Sequence, residues 1–154
     1  MAKYSEKIQS VSTGVFARKY GIDDSNNCVV RAFCNVTGMF FVEAYEMFKR
    51  AGRKDHEGTA WNIFVPIYKQ HGLIPKAAFG TTHSAMFYER FCNIPRLAGI
   101  TLGKLLASGV LNNGKFVVSV RSHVFAVIDG EIIDTLDNDS GKSVVCVFEY
   151  VEQN

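Results

Sequence analysis

The chain has 154 residues, 47% apolar and 21% charged, with a formal net charge of +2, which excludes a disordered or fibrous protein and suits one domain over 1–154. So small a charge gives no electrostatic reason to expect a nucleic-acid partner, and no apolar run approaches the roughly eighteen residues of a membrane span. The four cysteines (Cys28, Cys34, Cys92, Cys146) include no close pair at metal-ligand spacing and are sparse for a secreted disulfide scaffold, so a reducing, cytoplasmic location is expected.

Met1 to Ser12 lacks an apolar signal core. Residues 1–20 carry Lys3, Lys7, Arg18 and Lys19 with few turn signals and read as a strand or an ordered arm, without assigned chemistry. The polar turn Asp23-Asp24-Ser25-Asn26-Asn27 then runs into a short apolar helix that starts at Cys28 and stops at Gly38. Asn27 is a suitable N-cap, and Gly38 suits the left-handed residue that closes a helix. A cysteine in a first helical turn meets unpaired backbone amides and the positive end of the dipole, which favour the thiolate. The same amides can hold a developing oxyanion. A lone cysteine at such a place is more often a small buried apolar residue, so a partner has to be found.

Val42 to Gly52 has an amphipathic period, with Ala44, Met47, Phe48 and Ala51 on one face. Arg53 to Gly58 reads as a charged, solvated loop, and Thr59 as the cap of a third helix from Ala60 to His71. Pro66 inside that helix should kink or divide it. His56, His71 and His83, spaced by 15 and 12 residues, fit no single-helix ligand pair. They read as solvated or capping residues, and neither a metal nor a cofactor is expected. Ser84 to Phe91 has helical spacing, and its aromatic residues are read as core packing rather than a substrate cleft.

Thr101 to Gly109 is a short capped helix and Asn112-Asn113-Gly114 a turn. Lys115–Val120, His123–Ile128, Glu131–Thr135 and Ser143–Tyr150 read as four mostly antiparallel strands, the first two joined tightly through Arg121-Ser122. Asp129-Gly130 is the dipeptide preferred in two-residue type I′ turns. With that loop Ile128 pairs with Glu131, Phe125 lies opposite Asp134, and His123 lies opposite Leu136. Alternation then sets His123 and Asp134 on one face as diagonal neighbours, where a carboxylate can orient an imidazole. A one-residue slip would turn Asp134 away and leave Asp137, Asn138 or Asp139 as the nearby candidates.

The order of a helix-start cysteine, helices, a histidine opening a late strand and a polar residue on the next strand resembles the papain-like cysteine peptidase fold. More narrowly, Asn27-Cys28-Val29-Val30-Arg31-Ala32 with Thr37-Gly38, Ala51-Gly52-Arg53-Lys54 with Gly58-Thr59, and His123 to Gly130 with Asp134-Thr135 resemble small papain-like proteins encoded by bacteriophages. The resemblance spans about residues 20 to 136. It implies an α+β papain-like fold in which an N-terminal helical half packs on a C-terminal antiparallel β-sheet. It makes Cys28 the nucleophile, His123 the general base and Asp134 the orienting residue of a thioester-forming hydrolase or acyl transferase acting on a peptide or protein acyl substrate, in the host cytoplasm if phage-encoded.

Papain itself carries a glutamine six positions before its cysteine for the oxyanion hole, where this chain has Ile22. Asn26, Asn27 and Asp24 are the candidates to replace it. Two other readings stand beside catalysis. One is a papain-like phage protein that binds and blocks a host bacterial factor without turnover. The other, nucleic-acid binding, rests only on scattered basic residues such as Arg50, Arg53 and Lys54.

Overall fold

The structure is a computed structural model that describes residues 21–134 and 138–152. The expectations for residues 1–20, for Thr135, for Asp137 and for a pairing of His123 with Leu136 fall outside those residues. In chain order the elements are helix α1 (Cys28–Thr37), α2 (Phe41–Arg50), α3 (Trp61–Gln70), strand β1 (Leu73–Phe79), α4 (His83–Cys92), β2 (Arg96–Leu97), α5 (Leu102–Ala107), β3 (Lys115–Val120), β4 (His123–Ile128), β5 (Glu131–Ile133) and β6 (Val144–Tyr150). One six-stranded sheet runs in the order β2-β1-β6-β3-β4-β5. The architecture is α+β, and no helix among the described residues is long and apolar enough to cross a membrane.

A purely C-terminal antiparallel sheet is corrected on two points. Strand β1 comes from mid-chain to pair antiparallel with β6, and the short β2 pairs parallel with β1. Pro75 and two alanines hide β1 from a propensity reading. The ladder accommodates the proline by shifting register between Pro75 and Ala77, one of the few places where a strand tolerates a missing N–H.

Two apolar clusters lie on opposite faces of the sheet. Helices α1 to α4 contribute Phe33, Phe48, Phe64, Tyr68 and Tyr88 to the larger one, which meets Val117, Val124, Ala126 and Phe148 of the sheet. Helix α5 places Leu102 and Leu105 over Phe116, Phe125 and Val127 on the other face. A fully buried Tyr68 is the hub of the first cluster, with ring centroids 5.0 Å from Phe64, 5.3 Å from Phe148 and 5.7 Å from Phe33. Its hydroxyl donates to the Val29 carbonyl at 2.7 Å and so seats the first turn of α1.

Helix α1 ends as expected, with Gly38 at φ 80° returning its N–H to the Cys34 carbonyl at 2.9 Å. Its start is corrected, because the Asn27 side chain makes no cap hydrogen bond. Helix α3 runs unbroken past Pro66. The carbonyl that Pro66 leaves free belongs to Asn62 on the exposed side, while Phe64, Val65, Ile67 and Tyr68 bury the other side and hold the helix together. Its N-cap is Ala60 and not Thr59, whose buried Oγ1 finds no hydrogen-bond partner among the described residues. Helix α4 also departs from expectation: Tyr88 is buried, but Phe87 and Phe91 are 36% and 43% exposed, with the Phe87 ring centroid 4.0 Å from that of Trp61 and tilted by 32° to it.

Candidate active site

The hairpin that presents the histidine has the register anticipated from Asp129-Gly130. Ile128 pairs with Glu131, Val127 with Ile132 and Ala126 with Ile133. Both loop residues have positive φ, 49° and 82°, as a type I′ turn requires. At the other end of β4, Arg121-Ser122 turns the chain so that Val120 pairs with His123. His123 therefore opens its strand at the rim of the sheet, its ring 5.9 Å from that of Phe125 on the same face.

Asp134 follows the last residue of β5, and its Oδ2 lies 2.6 Å from His123 Nε2. Since the carboxylate accepts, Nε2 carries the proton and Nδ1 is the ring nitrogen left over for Cys28, which lines the same cleft. The imidazole side chain is 12% exposed and the carboxylate 4%, so the contact is dry enough to be strong. Cys28, His123 and Asp134 are thus brought together in the order thiol, imidazole, carboxylate.

The electrostatics follow from these contacts. Asp134, foremost, and Cys28 raise the His123 pKa to about 9 against the opposing effect of burial. Burial alone would push the Cys28 thiol up. The His123 hydrogen bond, the Val124 N–H and the charges of His123 and Arg31 outweigh it, and the pKa falls below its ordinary value. The shifts run towards a thiolate–imidazolium pair. The other cysteines move the opposite way: burial takes Cys34 to about 12 and raises Cys92 and Cys146.

Cys28 and His123 line a cleft of about 340 Å³ whose walls include Thr59, Trp61, Tyr88 and Ser119. A separate groove of about 500 Å³ on the outer face of α4, lined by Met86, Phe87 and Phe91, contains none of the three residues. Because Asn27 does not cap α1, the first-turn amides, that of Cys28 among them, carry no side-chain cap at the cleft.

The three proposed side-chain oxyanion donors are placed elsewhere, and none lines the cleft. Asp24 accepts both terminal nitrogens of Arg53 at 2.8 and 3.0 Å and the His56 N–H at 2.8 Å. Asn26 donates to the His56 carbonyl at 3.0 Å. Asn27 donates to Asp24 at 3.2 Å and accepts from Arg31 Nε at 2.9 Å. The physical reason is a buried charge: Arg53, read from sequence as part of a solvated loop, is 4% exposed and draws this polar turn around itself.

Sequence reading missed Arg31 as a contact of Asp134, the Asp24–Arg53 pair, and Tyr88 and Ser119 in the cleft. A signal existed for Arg31 alone, which lies four residues after Asn27 on the helix that carries Cys28. Among the described residues no His, Cys, Asp and Glu side chains cluster to hold a metal ion. Comparison with protein-family models, curated proteins and solved structures gave no match.

Proposed function

We propose that the protein is a papain-like cysteine hydrolase, a peptidase, isopeptidase or amidase of the phage type, working in a reducing cytoplasm on a peptide or protein acyl substrate. One observation carries the reading: the Cys28 thiol lines the same cleft as His123, an imidazole held at 2.6 Å by a buried carboxylate, and the two side chains shift each other's ionisation. The Cys28 thiolate attacks the carbonyl carbon, and the oxyanion forms beside the Cys28 N–H at the start of α1. His123 Nδ1–H protonates the leaving amine as the C–N bond breaks, giving a thioester. The neutral imidazole then takes a proton from water, the hydroxide attacks the thioester, and the thiolate departs with the imidazolium restored. An amine in place of that water makes the same site an acyl transferase.

A second reading is a papain-like phage protein that binds and blocks a host bacterial factor without turnover. It is favoured by the engagement of Asp24, Asn26 and Asn27 away from the cleft. One experiment separates the two. On the hydrolase reading, iodoacetamide at neutral pH alkylates Cys28 far faster than Cys34, Cys92 or Cys146, and p-nitrophenyl acetate or fluorogenic casein is turned over in a manner lost on prior alkylation. Selective alkylation without turnover selects the binding reading. Equal reactivity of the four thiols removes the hydrolase.

A further inference from the structure

Helix α1 does more than carry the thiol. Cys28, Arg31 and Asn35 stand at i, i+3 and i+7, on one stripe of the helix. Arg31 Nη1 meets Asp134 Oδ1 at 3.5 Å, and Asn35 Nδ2 donates to the Ile133 carbonyl at 3.4 Å. Both contacts seat the end of β5, where the paired ladder stops at Ile133 and Asp134 follows it. The Asp134 carboxylate divides its oxygens: Oδ2 accepts from His123 at 2.6 Å and Asn138 at 2.9 Å, and Oδ1 faces Arg31. Arg31 is in turn held by Asn27, Asn27 by Asp24, and Asp24 by Arg53, the last two side chains being 0% and 2% exposed.

We propose that Arg31 is a positioning residue of this site, which clamps the orienting carboxylate from the nucleophile's own helix and is itself locked by Asn27 and the buried Asp24–Arg53 pair. The proposal rests on the hydrolase reading for its purpose, but its test reads the ionisation of Cys28 and needs no substrate. The charged and titratable groups facing the thiol are His123 from β4, Arg31 from α1 and the Tyr68 phenol from α3. Asp134 acts on it through His123. Of these Arg31 is the one fixed cation, so its removal both weakens the hold on Asp134 and withdraws positive charge from the thiolate.

The experiment is the pH dependence of iodoacetamide alkylation of Cys28 in wild type, Arg31→Met, Arg31→Lys, Asp134→Asn and the Arg31→Met/Asp134→Asn double variant. Melting is followed by circular dichroism. Arg31→Met should raise the midpoint by about half to one pH unit and slow alkylation at pH 7 about three- to tenfold. Arg31→Lys, which keeps the charge but loses the planar fork, should shift the midpoint less and still slow acylation by p-nitrophenyl acetate. Since Arg31 acts partly through Asp134, the double variant should shift less than the sum of the single variants.

A folded Arg31→Met protein with the wild-type midpoint overturns the proposal, and so do strictly additive shifts. A merely structural role lowers the melting temperature and leaves the midpoint alone. Where Arg31→Met does not fold, Arg31→Lys decides: an unchanged midpoint together with an unchanged acylation rate overturns it. A low wild-type midpoint without ester turnover removes the hydrolase reading and leaves the Arg31 result to be judged on the midpoints.

Discussion

Asp134→Asn is the most informative single change, because it keeps the shape and an acceptor for His123 Nε2–H while removing the charge. The His123 pKa stands at about 9 against 6.5, with the Asp134 contact first among its causes and Cys28 second. At 1.36 kcal/mol per unit the shift corresponds to a preference of about 3 kcal/mol for the imidazolium, shared between those two contacts. Losing the carboxylate's part should lower the His123 pKa by about one to two units and slow hydrolysis near pH 8 about two- to tenfold. Asp134→Ala, which also frees the ring to rotate, should cost about tenfold more. An NMR titration of the His123 ring measures the first quantity and the rate of p-nitrophenyl acetate hydrolysis the second. Asp137→Asn and Asp139→Asn should change neither. If Asp134→Asn titrates and hydrolyses like wild type, or if either of the other two is the damaging change, Asp134 is not the orienting residue.

Cys28→Ala should abolish turnover and move the melting temperature by no more than about 2 °C, since the change removes one sulfur atom from a partly buried side chain at the edge of the core; a large loss of stability with surviving activity would make Cys28 a core residue. Arg53→Met should destabilise by about 3–5 kcal/mol in urea, because it strands a carboxylate that is 0% exposed, and Asp24→Asn in the same chain should restore much of that loss. Stability should also report His123 in a Cys28→Ala background, where the thiol no longer titrates. A pKa raised on folding contributes stability that is full below about 6.5 and is lost as pH rises through the folded value, which Asp134 alone still raises in this background, so the melting temperature should fall as pH rises above 6.5 and His123→Ala should flatten the slope. At neutral pH the order of alkylation, followed by mass spectrometry, should be Cys28 well ahead of Cys92, with Cys34 and Cys146 last, since burial raises the other three thiols and in Cys28 alone is outweighed.

Local chemistry was enough to read several elements from the sequence. Gly38 ends α1, Thr101 accepts a first-turn amide of α5, and Asp129-Gly130 sets the register of the β4–β5 hairpin. Each is a short-range rule with a backbone requirement behind it, and the hairpin rule alone put His123 and Asp134 within reach. The meeting of Cys28 with His123, ninety-odd positions apart, was carried only by a resemblance, because separation along the chain says nothing about distance after folding. Tertiary structure decided the rest. Strand β1 exists because β6 pairs with it in spite of Pro75, and α3 stays whole because Tyr68 and its neighbours bury one side of it. Asp24, Asn26 and Asn27 turn from the cleft because a buried Arg53 needs compensation, a demand that arises only once the core has closed over it.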